Sequence, residues 1–151
     1  MGVPRKMLLA TDGSAESARA ADMAVGLSNG LGSKLHVVHV GHVPSVYVSP
    51  ESKVLDPEKL QDRMRERVEG ETRERLEEEV RKIREAGGEV AKAYARFGRA
   101  DKKEIVHLAE ELHADLVIVR SRGFDPIRRA VMGSVSDSVV HYAHCPVLVV
   151  R

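Results

Sequence analysis

Five short apolar runs punctuate the chain: residues 6–10 (KMLLA), 34–40 (KLHVVHV), 89–97 (EVAKAYARF), 116–119 (LVIV) and 147–150 (VLVV). Their length and β-branched content read as strands. The third is alanine-containing, yet Val90, Lys92, Tyr94 and Arg96 alternate with Ala91, Ala93, Ala95 and Phe97, the two-residue period of a strand. Helical patterns fill the gaps. After the first run, Ala18, Ala21, Met23, Val25 and Leu27 fall at helical spacing before Gly30 and Gly32 stop the segment. A proline-containing loop over 41–57 follows the second run, and then a highly charged helix spans 58–85, with Leu60, Met64, Val68, Leu76, Val80 and Ile83 as a narrow apolar stripe. Residues 101–112 form the next helix, with Ile105, Leu108, Ala109 and Leu112 on one face, and a shorter one runs from Ser134 to about His141. Strict β/α alternation requires a parallel sheet covered by helices on both faces. Right-handed crossovers leave only a few doubly wound strand orders. The expected fold class is α/β, a single open five-stranded, mostly parallel, Rossmann-like sheet.

A chain of 151 residues suits one domain, here 1–151. The 24 Lys and Arg offset 23 Asp and Glu to a formal charge of +1, so the balance of charge gives no reason to expect nucleic acid or an acidic membrane as partner. Two Phe, three Tyr and no Trp leave little from which to build a base-stacking platform. The lone Cys145 cannot form an intramolecular disulfide, which fits a reducing compartment. The opening MGVPRKMLLATDGS reaches Asp12 too soon for a secretory apolar core, and no run approaches the length of a membrane span. A cytoplasmic location is the expectation.

Local chemistry points to one place. Residues 116–136 read LVIVRSRGFDPIRRAVMGSVS: a strand empties into a basic loop with Gly123 and Gly133, and the loop feeds a helix opening on Gly-Ser. Backbone N–H groups and the positive end of a helix at such a junction favour an anion. In an open parallel sheet the ligand lies beyond the carboxyl ends of the strands, where the winding reverses. For the order 3-2-1-4-5 that crevice opens between the first and fourth strands. Ala10, Thr11, Asp12 and Gly13 leave one side and residues 120–123 leave the other. Asp12 is a candidate acceptor for a base or sugar, and Gly123, Gly133, Ser134 and Ser136 are candidate donors to phosphates. Capping is the plainer role for the polar residues: Asp12 or Ser14 for the first helix and Ser134 for the fourth.

Over its whole length the chain resembles the universal stress proteins. The shared features are the opening LLATDGS, a second strand ending HV, the late glycine loop with Gly133 followed by Ser134, Val135 and Ser136, and the closing PVLVV. The resemblance implies a nucleotide-binding domain that holds ATP, with or without Mg2+. Asp12 and Val40 would lie near the ribose and adenine, beside Ala10 and Thr11. Val119 would lie along the base, and Gly123, Gly133, Ser134, Val135 and Ser136 would lie at the phosphates. It also implies a homodimer through the last strand, Val147 to Val150, and a stress-response role. The length of the loop over 120–132 and its glycine ends point to a switch, in which nucleotide binding orders the loop and alters the surface shown to a protein partner.

Where nucleotide-binding members of that family have a glycine closing the fourth strand, this chain has Arg120. Its side chain has three options: to block the backbone approach that glycine permits, to pair with a phosphate, or to fold outward. The first gives an alternative function, a nucleotide-independent dimeric interaction module whose pocket Arg120 closes. HVGH at 39–42 resembles a nucleotidyltransferase motif but follows the wrong strand, and His36, His39 and His42 alternate faces, which disfavours a shared metal. There is no GxxxxGK[ST] and no GxSxG. The expectation is a binding protein, at most a slow ATPase.

Overall fold

The computed structural model describes residues 2–53, 56–121 and 133–151. Gly123 and the remainder of 122–132 lie outside the described residues.

The elements follow the expected alternation. They are β1 (Lys6–Thr11), a 3-10 turn (Ala15–Ser17), α1 (Ala18–Leu31), β2 (Lys34–His42), α2 (Pro57–Glu85), β3 (Val90–Gly98), α3 (Asp101–Leu112), β4 (Leu116–Arg120), α4 (Ser134–Tyr142) and β5 (Val147–Val150). The sheet has the order β3-β2-β1-β4-β5. Every strand pairing is parallel, with registers such as Leu9↔Val37, Leu9↔Ile118 and Val119↔Val149.

Strand alternation sorts the apolar residues into two cores. Met7, Leu9, Leu35, Val37 and Ile118 pack against Ala20, Ala24 and Val25 of α1 and Leu76, Val80 and Ile83 of α2. Leu8, Val38, Val117 and Val119 pack on the other face against Ile105, Leu108 and Ala109 of α3 and Val139 of α4. The alanines of β3 divide by the same rule: Ala93 and Ala95 join the first core and Tyr94 the second. All three strands β1, β2 and β4 are buried on both faces, which is why their sequences are continuous apolar runs.

Local chemistry sets the ends of the elements. Asp56 caps α2 by accepting from the Lys59 N–H at 3.1 Å, with Pro57 in the first turn. Gly41 lies under α2 where a Cβ would collide with Thr72 Oγ1 and come within 3.0 Å of Val68 Cγ1, so glycine sets how closely that helix approaches β2. α1 starts at Ala18, the first residue of its apolar pattern, and Ser14, Ser17 and their hydrogen bonds hold a separate 3-10 turn over 15–17 before it.

Candidate functional site

α1 and α2 lie on one face of the sheet and α3 and α4 on the other, so the chain leaves β1 and β4 in opposite directions. The carboxyl ends of those neighbours therefore splay apart over a crevice. A cavity occupies it, bounded by β1, β2, β4 and the first turns of α3 and α4. Ala10, Val38, Val40, Ile105, Val119 and Val135 make an apolar wall, and Thr11, Asp12, Asp101, Arg120, Gly133 and Ser136 bring the polar groups.

At the end of β1 the chain turns through Gly13, whose φ of +72° is the left-handed conformation that glycine adopts without penalty. Asp12 Oδ1 accepts the Ser14 N–H at 2.9 Å and the Ser14 hydroxyl, an Asx turn. Ser14 Oγ then accepts the Ser17 N–H at 3.2 Å and caps the 3-10 turn. Thr11 Oγ1 accepts the Gly13 N–H at 3.2 Å and is itself buried. The carboxylate expected to face a base or sugar thus has one oxygen committed to its own loop.

Arg120 ends β4, paired in register with Val150. Its Nη1 donates to Ser14 Oγ at 3.1 Å and stands 3.4 Å from Asp12 Oδ2, and the side chain is only 13% exposed. The guanidinium spans the crevice from β4 to the β1 loop. An outward fold, one of the options open from sequence, is therefore corrected: a cation this buried is stabilised by partners, and the Asx turn supplies them.

On the opposite bank, Gly133 is the N-cap of α4, in an extended conformation (φ −60°, ψ 153°), and as a glycine it brings no side-chain cap. Ser134 is exposed and makes no capping bond, contrary to the plainer expectation for it. Ser136 is buried, and its hydroxyl donates to the Gly133 carbonyl at 3.1 Å, fixing the entry of the helix. The first backbone N–H groups of α4 are the donors this end offers, together with the helix dipole.

Behind β1, on the α2 side, two titratable groups are buried. Burial raises the carboxyl of Glu79, opposed by Lys82 and by a hydrogen bond from Thr11. Burial lowers the imidazole of His39, opposed by its bond to the Thr11 backbone. His36, on the other face beside Tyr94, is lowered chiefly by burial as well. His36 and His39 thus occupy opposite faces of β2, as their spacing predicts.

Residues 4–151 match the model of the Universal stress protein family. The chain belongs to the universal stress protein family. It is 37% identical over 147 residues to Universal stress protein YxiE of Bacillus subtilis, covering 97% of this chain and 98% of that one. It is 32% identical to a universal stress protein of Methanocaldococcus jannaschii, covering 97% of this chain and 82% of the relative. Among solved structures, a universal stress protein in complex with cAMP superposes with a TM-score of 0.69 at 23% identity, covering 99% and 98% of the two chains. The universal stress protein of Archaeoglobus fulgidus in complex with dAMP gives 0.61 at 22% identity, covering 99% and 100%. At these identities the structural likeness shows the fold, the same universal stress protein sheet.

Within this universal stress protein, Ala10, Thr11, Asp12, Val40, Val119, Arg120, Gly133, Val135 and Ser136 line the β1/β4 cavity together, with Ser134 next to them in sequence and Gly123 outside the described residues. Three lining residues were missed from sequence. Val38 precedes Val40 by two on the same face of β2, and Ile105 follows Asp101 by four on α3, so strand and helix periods would have found both. Asp101 was signalled only by its place, the first residue of the helix that follows β3.

Proposed function

We propose that this universal stress protein binds an adenine nucleotide in the β1/β4 crevice and acts as a cytoplasmic, dimeric, nucleotide-dependent switch rather than as an enzyme. The observation that carries this reading is the pairing, in one cavity, of an apolar wall with the start of α4, whose N-cap is the glycine Gly133. An apolar slot suits a purine, and the helix start suits phosphate. Val40 and Val119 would flank the base, and the Gly133, Ser134 and Val135 end would take the phosphates. Among the described residues no cluster of His, Cys, Asp or Glu is fit to hold a metal, so Mg2+ would arrive on the phosphates. The cAMP and dAMP complexes of similar proteins support an adenine nucleotide. Homodimerisation would use the outer edge of β5, beside which α4 exposes Val140 and Tyr142. Among the described residues no helix is long and apolar enough to cross a membrane.

A second reading rests on the Arg120 contacts with Asp12 and Ser14, which span the same crevice. If ligand cannot displace them, the protein is a nucleotide-independent dimeric interaction module. Mass spectrometry of protein purified without added nucleotide separates the two, with wild type and Arg120→Gly run side by side. Adenine nucleotide on wild type supports the switch. Nucleotide on the variant alone supports the module, and none on either, with no heat from either on titration with millimolar ATP, sinks the nucleotide site.

A further inference from the structure

We propose that Asp101 is the acceptor that selects the nucleoside, a role that rests on the crevice being a nucleotide site. Asp12, the obvious carboxylate, has Oδ1 held by the N–H and hydroxyl of Ser14 and Oδ2 facing Arg120. Asp101 also lines the cavity, from the first turn of α3. Its side chain as a whole is 31% exposed, yet Oδ1 is buried and has no hydrogen-bond partner. His42 Nδ1, at 3.8 Å, is beyond hydrogen-bond reach of that oxygen. Asp101 is not occupied in capping α3 either, since Ala100 is the N-cap and makes no side-chain bond. A buried carboxylate oxygen without a donor is costly, and a ligand that brings one removes the cost.

The cavity lining beside Asp101 narrows the donor that could reach its carboxylate. Val40 and Ile105 are apolar and offer nothing that competes for it. A phosphate cannot be the group, because it is an anion with no donor at neutral pH and would be repelled by Asp101. The donor is therefore a neutral N–H or O–H of the nucleoside: the exocyclic amine of adenine or a ribose hydroxyl. Such a bond to a charged acceptor discriminates strongly against an analogue that lacks the donor.

The test is titration calorimetry of the full chain with ATP, 2′-deoxyATP, 3′-deoxyATP and ITP, for wild type and Asp101→Ala, with cooperative thermal melting confirming that the variant is folded. Wild type is expected to bind ATP at least tenfold more tightly than one of the three analogues. Asp101→Ala is expected to bind ATP at least tenfold more weakly and to lose that discrimination. Loss against ITP identifies the amine, and loss against a deoxy analogue identifies the hydroxyl. A merely electrostatic role has the opposite sign, because removing a carboxylate near a triphosphate tightens binding. Equal or tighter ATP binding by Asp101→Ala, or equal weakening for all four nucleotides, overturns the assignment while leaving the nucleotide site standing. No binding of any nucleotide by wild type overturns the site and the assignment together.

Discussion

Replacing Asp12 with Ala should destabilise the fold more than replacing Arg120 with Ala, and the two losses should not add. Arg120 Nη1 lies 3.4 Å from Asp12 Oδ2, which corresponds to a gross attraction of about 5 kcal/mol at an effective dielectric of about 20. Much of that is offset by desolvating a guanidinium that is 13% exposed and by fixing two side chains, while water reaches an aspartate that is 39% exposed. The net coupling then falls between that of exposed pairs and that of fully buried ones, about 1–2 kcal/mol. Asp12→Ala also removes both Ser14 bonds of the Asx turn, a further loss of about 1 kcal/mol, and takes the Asp12 carboxylate away from the buried Arg120. Urea denaturation of wild type, both single variants and the double variant gives the coupling directly. In a chain of this length 1 kcal/mol is worth roughly 2–4 °C in melting temperature, so the ordering is also readable by heat. Strict additivity, with coupling under about 0.3 kcal/mol in four folded proteins, would show that the pair is not an interaction in solution.

Gly41→Ala places a methyl against Thr72, Val68 and Phe97 and should lower stability by about 1–3 kcal/mol; an unchanged urea midpoint refutes the close approach of α2. Glu79 is a carboxyl whose folded value is raised by burial, so the folded chain holds a proton that the unfolded chain releases, and stability falls as pH rises from about 4.5 through the folded value. Glu79→Gln should therefore be more stable than wild type at pH 8 and nearly equal to it at pH 4, as read by melting temperature; a less stable variant at pH 8 contradicts the assignment. Pro146 and Val150 turn their carbonyls toward β4, accepting from Val117 and Ser121, so Val147 and Val149 present theirs to the open edge. Val149→Pro should convert a dimer to a monomer in sedimentation equilibrium while the chain stays folded, and a dimeric variant would place the interface elsewhere.

The architecture was readable because it is written at short range. Runs such as LVIV and KLHVVHV carry the burial of both strand faces in consecutive residues, and the stripe from Leu76 through Ile83 carries the period of α2. The crossover rule then placed Asp12 and Gly133 on the two banks of one crevice without any pairwise information. Contacts made across the chain were not readable in this way. Arg120 and Asp12 are 108 positions apart, and nothing local in either segment says that the guanidinium turns inward. Thr72 seated on Gly41 depends on the packing angle of α2, and the buried Oδ1 of Asp101 depends on how α3 meets the end of β2. Ser134 and Ser136 show the same limit at smaller scale: both are polar residues at a helix start, yet one is exposed and the other buried, because the helical period turns them to different sides.

Titration calorimetry of nucleotide-stripped wild-type protein with ATP goes straight to whether the β1/β4 crevice is a ligand site. A saturable heat with one site per chain at or below millimolar ATP is the predicted result. No heat at millimolar ATP, from protein that melts cooperatively and from an equally silent Arg120→Ala variant, would contradict it.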